Sequence, residues 1–193
     1  MPLREREEYL GGFLSDQRQV DVLSGEIIST EVAVHAGRVA GFGHYDALTH
    51  MDLENRFLCP GFIDGHIHLE SSMLTPPEFA RAVIPHGTTA VVCDPHEIAN
   101  VLGIDGINYM LRASAGLPVT VYVMLPSCVP ATEMETSGAA LSSGDLALML
   151  PLERVIGLAE MMNYPGVVTG DREVLNKIMI AGNRPIDGHA PGL

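Results

Sequence analysis

After Pro60 the sequence alternates short apolar segments with longer segments of helical character, and this alternation constrains the fold more than any other feature. Strands are predicted at residues 62–66, 90–93, 119–125, 155–159 and 185–187, and helices at 77–86, 98–115, 144–151 and 171–181. The repeat of about 30 residues is the length of a βαβ unit. Five such units in a row predict a parallel α/β sheet, either doubly wound or closing as a barrel.

The segment before Pro60 has a different sequence pattern. Short β-like stretches at 20–23, 31–34 and 38–41 are separated by glycine turns, which predicts a small antiparallel sheet of three or four strands. Apolar residues on one side of residues 1–14 predict a short amphipathic helix. We therefore divide the chain into an N-terminal helix or extension (1–19), a small sheet domain (20–59) and an α/β domain (60–193).

The charge balance disfavours nucleic acid as a partner. The chain has 24 acidic and 11 basic residues and a net charge of −13, which repels phosphate backbones. No apolar run reaches the roughly 18–20 residues of a membrane span, and the charged N-terminus is unlike a signal peptide. Three widely spaced cysteines are typical of thiols in a reducing compartment. These features predict a cytoplasmic protein, with no membrane partner, that handles a small molecule.

Polar residues follow the predicted strands, beginning with His66 and His68. Residues i and i+2 of a strand point to the same face, so two imidazoles at this spacing can bind one metal ion. The alternative is a pair of histidines on a wetted surface. Because the pair ends a strongly apolar strand, the metal interpretation is favoured.

Two later strand ends offer further ligands. Glu160 and His189 each follow an apolar strand, and either one alone can be explained as a helix-end or loop residue. Together with the histidine pair they form a nitrogen and oxygen donor set suited to Zn, Fe or Mn. The single lysine, Lys177, lies in a predicted helix, so Glu160 is the better candidate to bridge two metal ions.

The second strand ends in a dense acid–base cluster, Asp94, His96 and Glu97. These side chains are candidates for further ligands, proton carriers or substrate contacts. The alternative is structural, because Asp94, Pro95 and Glu97 have the form of a helix N-terminus with a capping box. The residues leave both interpretations open for the two carboxylates and favour a functional role for His96.

Five segments carry a family resemblance. They are PGFIDGHIHLESSML (60–74), DPHEIANV (94–101), PSCVPAT (126–132), EMMNYPGV (160–167) and DGHAPGL (187–193). In this order they resemble the bacterial and archaeal adenine deaminase family of the metal-dependent amidohydrolase superfamily. The resemblance implies an α/β fold: a partial (β/α)8 TIM-like barrel, with about five of its eight strands in this chain, beside a small N-terminal β-sandwich portion.

The resemblance also implies an activity, a cofactor and a site. The activity is hydrolytic deamination of adenine to hypoxanthine and ammonia by a metal-activated hydroxide, in purine salvage. The cofactor is a binuclear centre of Mn or Fe, with Zn as an alternative, and the family implies a homo-oligomer. The candidate metal ligands are His66, His68, Glu160 and His189, with Asp94 as a further candidate. The candidate catalytic residues are Glu70, His96 and Glu97, and the candidate substrate contacts are Ser71, Ser127 and Asn163.

One departure from the family concerns length. Residues 60–193 are too few for a barrel of about 250 residues, and the family places further ligands on its sixth and eighth strands. We expect a truncated product or fragment with exposed sheet edges, a tendency to associate and no useful deaminase activity by itself. The alternatives are another amidohydrolase activity, such as a cyclic amidohydrolase or deacetylase, and a non-catalytic remnant or interaction module.

Overall fold

The computed structural model describes residues 12–15, 17–132, 134–189 and 191, and the chain divides into two compact units between Pro60 and Gly61. Within the described residues, the first unit has seven short strands: β1 (Gly12–Ser15), β2 (Arg18–Asp21), β3 (Glu26–Ser29), β4 (Val32–His35), β5 (Arg38–Phe42), β6 (His50–Asp52) and β7 (Phe57–Leu58). They form a four-stranded sheet in the order β5-β4-β1-β6 and a three-stranded sheet in the order β3-β2-β7.

The structure corrects two predictions for the first unit. Gly12–Ser15 is a strand, so the predicted helix is wrong where it covers residues 12–14, and residues 1–11 lie outside the described part of the chain. Strand β1 pairs with β4 and β6, and these distant hydrogen bonds override the local helical pattern. The single antiparallel sheet is also wrong, because there are two sheets and the pairs β1–β6 and β2–β7 are parallel.

The second unit is the predicted α/β domain. Its strands are β8 (Phe62–Ile67), β9 (Thr88–Cys93), β10 (Thr120–Leu125), β11 (Val155–Met161) and β12 (Ile186–Gly188). Its helices are α1 (Pro76–Val83), α2 (His96–Leu102), α3 (Ile104–Ala113), α4 (Ser143–Met149), α5 (Tyr164–Thr169) and α6 (Arg172–Ala181), with short 3-10 helices at Leu69–Ser72 and Ile84–His86. The strands form one sheet in the order β12-β11-β10-β9-β8, with every pair parallel.

The five predicted strands are confirmed, and the sheet is a curled portion of a (β/α) barrel. The predicted helix 98–115 is interrupted at Gly103, whose φ of +59° is a conformation that glycine adopts readily, so two helices replace one. Helix α5 was not predicted; Asn163 begins it by accepting a hydrogen bond from the Gly166 amide at 3.0 Å.

Apolar side chains from the central strands and the surrounding helices form the core of the second unit. Val121, Val123 and Leu158 are at most 1% exposed, and α3, α4 and α6 supply Ile107, Leu146 and Val174. The edge strand β8 is different, because Phe62 and Ile63 are 61% and 69% exposed. Among the described residues, no helix has the length and apolar character needed to cross a membrane.

The amino end of β11 is held by Arg154. Its guanidinium donates to the Ser114 hydroxyl at 2.7 Å, to the Val121 carbonyl at 3.1 Å and to the Leu111 carbonyl. In barrels of this kind the amino ends of the strands serve stability and the carboxyl ends carry the chemistry. Arg154 therefore lies at the stabilising end of the sheet, opposite the candidate site.

Candidate metal centre

Three side chains meet at the carboxyl ends of β8 and β11. The Nε2 atoms of His66 and His68 are 3.4 Å apart, and the carboxylate of Glu160 faces both rings. Its Oε1 lies 3.6 Å from His66 Nε2 and its Oε2 lies 3.5 Å from His68 Nε2. One donor atom from each residue lies within 4.8 Å of the other two, which is the arrangement of a site that can hold a metal ion.

The meeting of these residues depends on the curvature of the sheet. Strands β9 and β10 lie between β8 and β11, so in a flat sheet β8 and β11 are about 14 Å apart at a spacing of about 4.8 Å per strand. The curl directs the ends of β8 and β11 towards one another, and side chains from the two strands then come into contact. The site is therefore a product of the barrel geometry.

Two acceptors at Nδ1, on the side of the ring away from the cluster, orient His68. Its Nδ1 lies 2.9 Å from the main-chain carbonyl of Asp94 and 3.3 Å from Oε2 of Glu97. These acceptors favour the tautomer with the proton on Nδ1, which leaves the Nε2 lone pair directed at the cluster. Such support is typical of a histidine that binds a metal.

The last strand adds two groups. His189 Nε2 lies 3.2 Å from Glu160 Oε1, so the predicted ligand is beside the cluster, although the group of three does not include it. Asp187 Oδ2 lies 3.6 Å from His66 Nδ1, which is close enough for an electrostatic contact but longer than a hydrogen bond. Asp187 was not among the predicted site residues. Its position at a strand end, two residues before His189, was the available signal.

Asp94 and His96 face the protein interior. Asp94 is 0% exposed and His96 is 7% exposed, and Asp94 Oδ2 lies 3.6 Å from His96 Nδ1, beyond hydrogen-bond range. Burial raises the pKa of the Asp94 carboxyl. Burial lowers the pKa of His96, but the neighbouring carboxylate more than reverses this and the pKa lies above its usual value.

The capping-box interpretation of this segment is wrong. Helix α2 begins at His96 after Pro95, without a side-chain cap, and neither carboxylate oxygen of Asp94 has a hydrogen-bond partner among the described residues. Asp94 contributes its main-chain carbonyl to the support of His68, while its carboxylate lies outside the cluster of three.

Glu70 and Glu97 form a pair of carboxylates on the outer side of His68. Burial raises the pKa of Glu70 to about 6, and the charge of Glu97 adds to this although the amide of Ile98 donates to Glu70 Oε1 at 3.1 Å. Burial works to raise the pKa of Glu97 as well, but hydrogen bonds from its own backbone and from Ser71 outweigh it and leave the pKa lowered. Glu97 therefore ionises more readily than Glu70.

The three predicted substrate contacts have partners within the protein. The Ser71 hydroxyl donates to Glu97 Oε1 at 2.9 Å, and the Asn163 side chain begins α5. Asn163 also lines a cavity of about 580 Å³ between the loops that follow β10 and β11. Ser127 is 1% exposed and its hydroxyl donates to the main-chain carbonyl of Glu160 at 2.6 Å. Substrate contact by these residues stays a prediction.

The donor set fits a divalent metal ion. In the described part of the chain, the ion-pair partners of Glu97, Glu160 and Asp187 are histidines rather than lysine or arginine. A cluster of carboxylates without a compensating cation is stabilised by a positive charge between the donors. Imidazole and carboxylate ligands suit Zn, Fe and Mn. The residues therefore indicate use of a divalent metal and leave its identity open.

Comparison with known proteins agrees with this geometry. Residues 57–192 match the model of the amidohydrolase family. The chain is 57% identical over 176 residues to an adenine deaminase of Syntrophobacter fumaroxidans, covering 91% of this chain and 31% of the relative. An adenine deaminase of Oleidesulfovibrio alaskensis is 58% identical over 176 residues, covering 90% of this chain and 31% of that protein.

The described fold also has a solved counterpart. The N-acyl-D-glutamate deacylase of Bordetella bronchiseptica superposes with a TM-score of 0.59 at 19% identity, covering 94% of this chain and 45% of that one. At this identity the likeness concerns the fold alone. The chain spans about a third of the length of the curated relatives it matches.

Proposed function

The chain belongs to the amidohydrolase family, and on that premise we propose that it carries the first part of a metal centre that hydrolyses adenine to hypoxanthine and ammonia. The observation that carries the proposal is the convergence of His66, His68 and Glu160 from two strands that are not neighbours. The identity of 57–58% to two adenine deaminases supports adenine, a small neutral base, as the substrate.

The proposed site holds the metal through nitrogen and oxygen donors. His66, His68, Glu160 and His189 would hold the ion, because the Glu160 carboxylate lies between the two imidazoles and within 3.2 Å of His189 Nε2. When bound, the metal supplies Lewis-acid activation of water and substrate. Glu97 would orient the ring of His68 through Nδ1, and Asp187 would act on His66 electrostatically across 3.6 Å. The further candidate, Asp94, is proposed to act through its carbonyl.

The chemistry requires one proton to move from water to the leaving nitrogen. A water oxygen adds to C6 of adenine and the bond from C6 to the amino nitrogen breaks. One water proton leaves with the amino group as ammonia, and the other ends on ring nitrogen N1 of hypoxanthine. Glu70 is the proposed carrier of the proton to the leaving nitrogen, because its pKa of about 6 is close to the range in which a carboxyl exchanges protons near neutral pH. His96 and Glu97 complete the proposed acid–base group at this strand end.

The finer properties of the whole protein are also proposals. We expect Mn or Fe in a binuclear centre, with Zn as the alternative, and a homo-oligomer acting in purine salvage in the cytoplasm. The net charge of −13 disfavours a substrate that carries phosphate, so a neutral free base is proposed rather than a nucleotide.

The test uses a chimera in which this chain replaces the matching third of the Syntrophobacter fumaroxidans adenine deaminase. After loading with Mn²⁺, conversion of adenine to hypoxanthine is followed by absorbance, beside the unaltered relative. We expect turnover by the chimera and its loss on Glu160→Gln, with Glu153→Gln, an exposed carboxylate, as the matched control. A folded, metal-loaded chimera that leaves adenine unchanged contradicts the proposal and favours another amidohydrolase substrate.

A further inference from the structure

The carboxylate of Glu160 is attached to a strand end at which the strand pairing is irregular. The pairing of β11 with β12 changes register between Leu158 and Met161, and the β10–β11 ladder has its last aligned pair at Leu125 and Leu158. The main chain at Glu160 therefore lies past the last β10–β11 pair and within the irregular part of the β11–β12 pairing. Another group has to fix it if its carboxylate is to stay between two imidazoles.

A buried hydroxyl supplies that contact. Ser127 follows the end of β10, is 1% exposed, and donates through Oγ to the Glu160 carbonyl at 2.6 Å. The same carbonyl accepts from the Met162 amide at 3.0 Å, so both of its lone pairs are used. The hydroxyl thus continues the link between β10 and β11 past the point where the strands separate.

A buried lysine in turn holds Ser127. Lys177 is the only lysine of the chain, lies on α6 and is 8% exposed. Its Nζ donates to the Ser127 carbonyl at 2.9 Å. Burying a charged ammonium is costly unless it is hydrogen-bonded, so this contact fixes the loop after β10 against α6. Two hydrogen bonds thus connect helix α6 to Ser127 in the loop after β10, and Ser127 to the strand end that bears the Glu160 carboxylate.

We infer that Ser127 and Lys177 are positioning residues for Glu160: Lys177 anchors the main chain of Ser127, and the Ser127 hydroxyl sets the main chain from which the Glu160 carboxylate reaches the metal. The inference rests on the proposed metal centre. It assigns to Ser127 a role in shaping the centre, and to Lys177 a role distinct from that of a metal ligand. Groups that hold metal ligands in place typically contribute about 10- to 100-fold to metal affinity.

The experiment measures Mn²⁺ affinity of the whole chain by the electron paramagnetic resonance signal of free Mn²⁺. Ser127→Ala is expected to weaken binding about 10-fold, the lower end of the range for such groups, because the hydroxyl acts on the main chain of the ligand. Lys177→Met is expected to weaken it in the same direction by a smaller factor. The matched control is Ser114→Ala, which removes a buried hydroxyl that donates to the Met110 carbonyl at 2.7 Å, away from the site.

Thermal unfolding of the same variants separates positioning from stability. If Ser114→Ala lowers the unfolding temperature as much as Ser127→Ala but leaves Mn²⁺ affinity unchanged, the assignment holds. If Ser127→Ala does not fold, Ser127→Cys takes its place, since a thiol keeps the size but donates weakly. If a folded Ser127 variant binds Mn²⁺ with wild-type affinity, the positioning role is wrong and the proposed metal centre is unaffected. Failure of the wild-type chain to bind Mn²⁺ overturns the metal centre and the inference with it.

Discussion

Asp94 and His96 face each other inside the second unit, with Oδ2 and Nδ1 3.6 Å apart and both side chains almost completely enclosed. Groups in contact in such an environment act on stability together. We predict that the variants Asp94→Asn and His96→Gln, with their double mutant, give a coupling of about 0.5–3 kcal/mol in the free energy of unfolding. Chemical denaturation measures it.

The exposed pair Glu78 and Arg81, 2.8 Å apart on α1, is the control for this cycle. Its coupling should be at most about 1 kcal/mol, because water screens the charges. Additive effects of the Asp94 and His96 substitutions would show that the two groups do not interact.

Metal binding should depend on His66 and His68. Each ring contributes one Nε2 to the cluster, so His66→Ala or His68→Ala removes a donor and is expected to weaken Mn²⁺ binding by more than the roughly 100-fold typical of residues that only support a ligand. His86→Ala, an exposed histidine in the same unit, should bind like the wild type. Elemental analysis after dialysis measures the bound metal, and unchanged stoichiometry in both variants would exclude these residues as ligands.

The stability of the metal-free chain should depend on Glu70. The folded state holds the Glu70 proton more tightly than the unfolded state, because its pKa is raised from 4.5 to about 6. The stabilisation that protonated Glu70 gives to the folded state is therefore fully present below pH 4.5. This part of the free energy of unfolding is lost as the pH rises through about 6.

Glu70→Gln should make the free energy of unfolding less dependent on pH between 4.5 and 6, because glutamine does not ionise. Its side-chain oxygen can still accept the hydrogen bond from the Ile98 amide. The measurement is urea unfolding in the presence of a chelator across that range. Glu78→Gln, at an exposed carboxylate, should keep the wild-type slope. A Glu70→Gln profile that follows the wild type would show that Glu70 ionises as easily in the folded chain as in the unfolded one.

The cysteines should differ in reactivity. Cys59 is exposed, whereas Cys93 is buried and burial raises the pKa of its thiol to about 12. Because the thiolate is the reactive form, iodoacetamide at pH 8 should modify Cys59 and leave Cys93 unmodified in the native chain. Mass spectrometry after a denatured control reports both sites. Equal labelling of Cys59 and Cys93 would contradict the burial of β9.

Much of the second unit can be predicted from the sequence because its signals are local. Apolar segments of strand length predicted all five strands, and the rule that parallel strands end at one face predicted that Glu160 would approach His66. The interruption of α2 and α3 at Gly103 is local as well, but a lone glycine in a helical pattern has more than one outcome.

The features that the sequence did not predict depend on distant pairing. Residues 12–15 form a strand because they pair with β4 and β6. The residues within the segment do not indicate these partners. The hydrogen bond from Ser127 to the Glu160 carbonyl joins two strand ends that are 33 residues apart in the sequence. Asp187 reaches His66 through the curl that brings β12 and β8 towards each other.

Because β8 and β11 are not neighbours in the sheet, a metal ion bound between them would also affect how the sheet unfolds. An ion held by His66, His68 and Glu160 ties together two strands that have β9 and β10 between them, so it acts as a cross-link over four strands. A one-residue slip of any of these strands would separate the donors. Metal at 100 times its Kd would raise the free energy of unfolding by about 2.7 kcal/mol if the unfolded chain does not bind it. With the proposed metal centre, the resistance of the sheet to unfolding would therefore rise with the concentration of available metal.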